Sequence, residues 1–124
     1  MDKNKELETA DVPWTNPINE DYHVTVYRDG YPVSLGHLLF VPNYNTPEVI
    51  QDAFYDAYKA GLELVKSGKA DGFNIGFNFG SAAGQTVMYP HVHLIPRYEG
   101  DVEDPVGGVR NVIPGKGNYR KWPK

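Results

Sequence analysis

One stretch of this chain has the spacing of a long helix, and the stretches on either side of it have the character of strands. Thr46-Pro47-Glu48 opens the helical stretch. Threonine supplies an N-cap oxygen, proline suits the first helical position, and an early glutamate suits the helix dipole. Apolar residues then recur at Ile50, Phe54, Ala57, Tyr58, Gly61, Leu62 and Val65, the spacing of one helical face. Lys66-Ser67-Gly68-Lys69 closes it, with Gly68 as the stop. Before it, Tyr22-His23-Val24-Thr25-Val26-Tyr27 is rich in β-branched and aromatic residues and predicts a strand. Arg28-Asp29-Gly30-Tyr31-Pro32 predicts a turn, and residues 35–42 predict a second strand ended by Pro42. After it, residues 73–78 alternate as a third strand, residues 79–85 form a small-residue loop, and residues 89–95 predict a fourth strand. Strands gathered around one helix imply an α+β domain with an antiparallel sheet.

The 124 residues fit one domain, and no internal repeat divides them. Residues 1–17 are polar and charged and are expected to pack poorly. Residues 18–124 are expected to form the domain, including a Gly- and Pro-rich segment over 99–124 with one apolar piece at 109–113. A net charge of −4 gives no broad electrostatic footprint for duplex nucleic acid or an anionic membrane. The chain has no cysteine, which excludes disulfides, cysteine-based zinc sites and a thiol nucleophile. The N-terminal residues hold no apolar run long enough for a signal peptide or a membrane span, so a cytoplasmic protein is expected.

The chemistry concentrates in Gly84-Gln85-Thr86-Val87-Met88-Tyr89-Pro90-His91-Val92-His93-Leu94-Ile95-Pro96-Arg97. Alternate strand residues share a face, so Tyr89, His91, His93 and Ile95 are expected on one side of the sheet. Same-face neighbours lie roughly 7 Å apart, which lets two imidazoles act on different atoms of one phosphate. One attacks phosphorus and the other donates to an oxygen or the leaving group. The small residues Gly80, Ala82, Ala83 and Gly84 let an anion approach the backbone, with Asn78, Ser81, Gln85 and Thr86 as neutral hydrogen-bonding groups.

The stretch from Asn78 to Val87, running into His91-Val92-His93-Leu94-Ile95-Pro96-Arg97, resembles the histidine triad (HIT) superfamily. Gly36-His37-Leu38-Leu39-Phe40-Val41-Pro42 is similar to the family's other marker, and the likeness runs from about Tyr22 to Arg97. The tail Gly107-Gly108-Val109-Arg110-Asn111-Val112-Ile113-Pro114 is similar to that of some bacterial members. The resemblance implies an antiparallel sheet of about five strands with one long helix. It implies that His91 takes the place of the middle, attacking histidine, His93 that of the last, and His37 that of the separate upstream histidine. Tyr89 stands where the family has its first histidine, so this strand carries a dyad and a tyrosine. By the same likeness Asp29 takes the position that holds ribose hydroxyls, Asn78 a phosphate-side position, and Gly84, Gln85 and Thr86 the positions beside the phosphate. Tyr89 could donate to a phosphate oxygen or to His37. Tyr22, Val26, Leu38 and Phe40 are candidates for packing the base.

The resemblance implies a hydrolase or transferase that cleaves at the α-phosphate of a dinucleoside polyphosphate or nucleoside phosphoramidate, through a nucleotidyl-histidine on His91. It implies a homodimer, a purine nucleotide or dinucleotide as ligand, and no required cofactor; a divalent cation such as magnesium is compatible with a polyphosphate substrate. The alternatives are a purine-nucleotide-binding module with little turnover, because Tyr89 cannot carry a proton as histidine does, and a metal site built from His37, His91 and His93. Other features have structural readings. Asp29 beside Gly30 equally suits a plain turn former. His23 reads as packing or surface, and Arg97 stays outside the site. Phe54, Tyr55 and Tyr58 read as core or dimer contacts, and Trp14 and Trp122 as residues that dock the terminal segments or meet a partner.

Overall fold

The computed structural model describes residues 12–123. Five strands, β1 (Asn19–Glu20), β2 (Val24–Arg28), β3 (Leu38–Pro42), β4 (Gly72–Phe77) and β5 (Val92–Arg97), form one sheet in the order β1-β2-β3-β5-β4. Every neighbouring pair is antiparallel. One long helix, α1 (Pro47–Lys66), links β3 to β4, so the α+β architecture with a five-stranded sheet is as expected. Among the described residues no helix is long and apolar enough to cross a membrane.

Thr46 caps α1 with its hydroxyl, which accepts from the Val49 N–H at 3.3 Å, and Pro47 occupies the first turn. Such a cap stabilises a helix by about 1 kcal/mol. The buried stripe of α1 is Val49, Ala53, Ala57 and Gly61; Ala57 and Gly61 are on the face the spacing suggested, while Val49 and Ala53 are buried in place of Ile50 and Phe54. The reason is distance. Small residues let the helix lie close against the sheet, and the Phe73 ring fills the space beside Gly61. Phe54 and Tyr58 are pushed to the flank, where they meet the rings of Phe77 and Phe73 while staying exposed.

Strand alternation then sorts the sheet's two faces. Val24, Val26, Phe40, Val92 and Leu94 point at Ala53 and Ala57 of the helix. Tyr27, Leu39, Val41 and Tyr89 form a second cluster on the other face. The four base-packing candidates therefore fail as a group. Val26, Leu38 and Phe40 belong to the helix-side core, and Tyr22 is 76% exposed beside His23 and Tyr44.

The strand expected over 89–95 is displaced to Val92–Arg97, because Pro90 has no N–H to give a ladder. The fifth strand is Asn19–Glu20, which has no strand pattern of its own and is recruited by Val26 and Thr25. The expectation that residues 1–17 pack poorly falls partly on residues 1–11, outside the described residues. Val12 and Trp14 are packed against the second cluster.

Candidate active site

The sheet's helix-free face carries three of the four histidines within reach of one another. The ladder explains how. Leu39 of β3 pairs with His93 of β5, and the Asp29 N–H beyond β2 donates to the His37 carbonyl at 3.1 Å. Asp29, His37 and His93, which are far apart in sequence, thus become neighbours. His37 Nε2 lies 2.9 Å from His93 Nδ1 and 3.3 Å from Asp29 Oδ2, and His93 Nδ1 lies 3.8 Å from that same oxygen. His91 sits beside His93 with ring centroids 5.2 Å apart.

The hydrogen-bond partners determine where each ring carries its proton. The Val33 N–H donates to His37 Nδ1 at 3.1 Å, so the proton of neutral His37 is on Nε2. That proton points at His93 Nδ1, which must accept it, so His93 carries its own on Nε2. His91 Nδ1 lies 2.8 Å from the Tyr89 carbonyl, which can only accept. His91 therefore donates from Nδ1 and keeps a lone pair on Nε2. Adjacent imidazoles on one face are thus set in opposite senses, one with a free lone pair and one with a free N–H. Burial lowers the His93 pKa to about 4, helped by the nearby His91 and His37 and opposed by Asp29. Burial also lowers that of His37, again against Asp29.

A cavity of about 460 Å³ opens on this face. Of the expected site residues, Asp29, Asn78, Gly84, Gln85, Thr86, His91 and His93 line it. His37 stands behind His93, 4% exposed, and reaches the cavity through its hydrogen bond. The loop is held by Gln85, whose side-chain carbonyl accepts from the Gly80 N–H at 2.7 Å and whose amide donates to the Val87 and Met88 carbonyls. The N–H groups of Gly84 and Gln85 are likewise used within the loop, on Ser81 and Gly80. Gln85 thus shapes the turn, and the Gly84 and Gln85 amides expected to face an anion are bonded inside it. Gly80 and Gly84 take the left-handed φ of 89° that the tight turn needs.

Tyr89 departs from its expected contacts. Its hydroxyl is buried and donates to the Pro42 carbonyl at 2.6 Å. It lies in the second core cluster because the chain before β5 has not yet entered the ladder that aligns His93. Asp29 combines both readings given to it. Oδ1 accepts from the Tyr31 N–H at 2.8 Å as a turn former, while Oδ2 faces His37 inside the site.

Asp29, His37 and His93 offer three ligand atoms within 4.8 Å of one another. The donor set does not fit a metal. A metal on His37 Nε2 would move that ring's proton to Nδ1, where it would meet the Val33 N–H head-on.

Two contributors escaped the sequence. The Val33 amide is a backbone group and leaves no signature in residue type. Trp14 lines the cavity and lies against His91, with ring centroids 4.8 Å apart. Its only advance signal is a large aromatic in a polar segment.

The family model of the HIT domain matches residues 14–100. An uncharacterized HIT-like protein of Methanocaldococcus jannaschii is 40% identical over 77% of this chain and 79% of its own length. The asymmetrical bis(5'-nucleosyl)-tetraphosphatase of Schizosaccharomyces pombe is 35% identical over 59% of this chain, which spans 44% of that enzyme's length. A crystal structure of a HIT family protein from Bacillus anthracis is similar at a TM-score of 0.60 and 34% identity, covering 69% of this chain and 66% of that one.

Proposed function

The chain belongs to the HIT domain family, and from that premise we propose that it is a nucleotide-binding hydrolase or transferase acting at the α-phosphorus of a nucleoside 5′-phosphoryl compound. The observation that carries this is the opposed setting of the two strand imidazoles, with a lone pair on His91 Nε2 and a proton on His93 Nε2. His91 Nε2 bonds to phosphorus while the bond to the leaving group breaks, its electron pair going to the leaving atom. The His93 N–H hydrogen-bonds to that atom as charge develops on it, and solvent supplies the proton that frees it. Water then attacks phosphorus and gives up its proton to solvent, the bond to His91 breaks with its electron pair returning to Nε2, and the nucleoside monophosphate leaves. In this reading Asp29 accepts from a ribose hydroxyl, and Asn78 and Thr86 contact phosphate oxygens; all three line the cavity. Attack by neutral imidazole needs no metal, and a polyphosphate substrate would bring its own divalent cation.

A second reading has its own support. The Tyr89 hydroxyl is bonded to a backbone carbonyl, so the position of the family's first histidine adds no proton-transfer group. That favours a purine-nucleotide-binding module with little turnover. One assay separates the two. Purified protein is given adenosine 5′-phosphoramidate and diadenosine tetraphosphate beside His91→Ala. Release of AMP that falls by about a thousandfold or more in the variant supports the enzyme. Nucleotide binding with no AMP above the variant's level leaves the binding module.

The proposed working unit is the domain of residues 18–124, with Trp14 added from the segment before it, acting as a homodimer in the cytoplasm. Exposed Phe54, Tyr58 and Val65 along α1, beside the edge strand β4, supply an apolar surface for the second copy. The absence of cysteine suits a reducing compartment.

A further inference from the structure

Attack by His91 leaves a positive charge on its own ring. Nδ1 keeps its proton, held 2.8 Å from the Tyr89 carbonyl, while the Nε2 lone pair forms the bond to phosphorus. A ring substituted at both nitrogens is an imidazolium. The charge appears as the leaving group departs with its electron pair. It vanishes when water attacks phosphorus and the bonding pair returns to Nε2. A cation in a partly enclosed site needs something to replace the water it loses.

No carboxylate fills that need. Asp29 is the one acidic residue lining the cavity of about 460 Å³, and its Oδ2 sits 3.3 Å from His37 Nε2 and 3.8 Å from His93 Nδ1. Among the described residues no carboxylate pairs with His91. His93 has its ring centroid 5.2 Å from that of His91 and brings no negative charge. Burial lowers its pKa to about 4, so near pH 7 it is neutral and does not repel the new cation.

The group that lies against the His91 ring is the indole of Trp14, with centroids 4.8 Å apart and planes tilted by 59°. An aromatic ring attracts a cation within about 6 Å of its centroid, and tryptophan does so most strongly. The indole is anchored. It packs on the cluster of Tyr27, Leu39, Val41 and Tyr89 and meets the Tyr27 ring at 5.9 Å. Its place beside His91 is thus set by the core, before any ligand arrives.

We propose that Trp14 stabilises the positively charged, phosphorus-bonded form of His91 by a cation–π interaction, and so favours formation of the covalent intermediate over its breakdown. This rests on the chemistry proposed above, in which His91 is the nucleophile. The two steps respond in opposite senses. Charge develops on the ring in the first step, and the indole lowers that barrier. Charge is lost in the second, and the indole stabilises the state that must be left. A residue that only packs, or one that stacks on the nucleobase, does not separate the steps in this way.

Tryptophan analogues with increasing numbers of ring fluorines, placed at position 14 alone, provide the test. Fluorine drains the negative face of the ring and changes its shape little. Excess protein is mixed rapidly with adenosine 5′-phosphoramidate and quenched in alkali. Substrate loss reads the first step, and the ratio of covalent adenylyl-protein to free AMP reads the second. Substrate loss is expected to slow stepwise with fluorination, by about tenfold across the series, while adduct hydrolysis speeds up. Trp14→Ala is expected to slow substrate loss by about tenfold, and by the same factor for the base-free methyl ribofuranoside 5-phosphoramidate. A flat fluorine series, or equal slowing of both steps, overturns the role of Trp14 while the His91 chemistry stands. A Trp14→Ala loss confined to the adenosine compound also overturns it and makes the indole a base contact. Neither adduct nor AMP above the level of His91→Ala overturns the chemistry, and the role of Trp14 with it.

Discussion

A backbone amide decides which way the catalytic candidates face. Val33 binds His37 Nδ1, His37 Nε2–H binds His93 Nδ1, and the His93 Nε2–H is left to face the cavity. In the proposed chemistry His37 is thus a positioning residue that acts through His93. The lowered pKa of His93 gives this a measurable signature. Replacing His37 by Asn removes one of the neighbours that disfavour charge on His93, so the His93 titration followed by NMR is expected to move up from about 4. An unmoved midpoint would show that His37 is only packing. kcat is expected to fall more than KM rises, since the donor matters most as charge develops. The same shift bears on stability. Unfolded His93 titrates near 6.5, so between 6.5 and about 4 the unfolded chain binds more protons than the folded one. The stabilisation is fully present above 6.5 and is lost as pH falls towards 4, an effect on the order of 2–3 kcal/mol. His37 acts in the same direction. The unfolding midpoint should therefore drop between pH 7 and 4.5, and His93→Asn should flatten that drop. Asp101 contributes lower down. Its bond to Arg97 holds its carboxyl at about 2, so its share is lost only as pH falls from the ordinary carboxylate range towards that value.

At the scale of elements, the close approach of α1 to the sheet controls the site from behind. Val92 and Leu94 are buried against Ala53 and Ala57, and this fixes the opposite-facing His93 and Ile95. Gly61 is the tightest point. A Cβ there would lie 2.7 Å from the Phe73 ring, whose bonded position on β4 leaves it little room to retreat. Gly61→Ala ought to gain helix propensity of about 1 kcal/mol, but the overlap outweighs it. A net loss of about 1–2 kcal/mol is expected in urea unfolding; a stabilised variant would show that the ring yields easily. The helix pattern was legible in outline, from Thr46 to Gly68, because caps and period are local. Its inward stripe was legible in part: Ala57 and Gly61 were on the expected face, but Phe54 and Tyr58 looked like core, whereas close packing selected the small residues.

At the scale of the molecule, the sheet has a helix on one face and a cavity-bearing face on the other, with Trp14 and the 107–122 tail bordering that second face. The flank of α1 is left with exposed Phe54 and Tyr58. If that flank is the dimer surface, Phe54→Glu with Tyr58→Glu should convert a sedimenting dimer to a folded monomer. A dimer that survives both substitutions would place the interface elsewhere.

Local rules were enough to determine the α+β class, the one long helix and the identity of the histidine strand, because residue type and period encode a strand's two faces and a helix's caps. Gly84, Gln85, Thr86, His91 and His93 lie in a single short stretch, so their nearness was readable in advance. The tertiary structure decided what depends on partners distant in the chain. It brought Asp29 and His37 to His93 through antiparallel register, turned the Tyr89 hydroxyl to Pro42, set the protons through the amide of Val33, and placed Val109 and Val112 opposite β4. Hydrogen-bond direction and burial belong to the folded surroundings of a side chain, and neither is written in its own residue type.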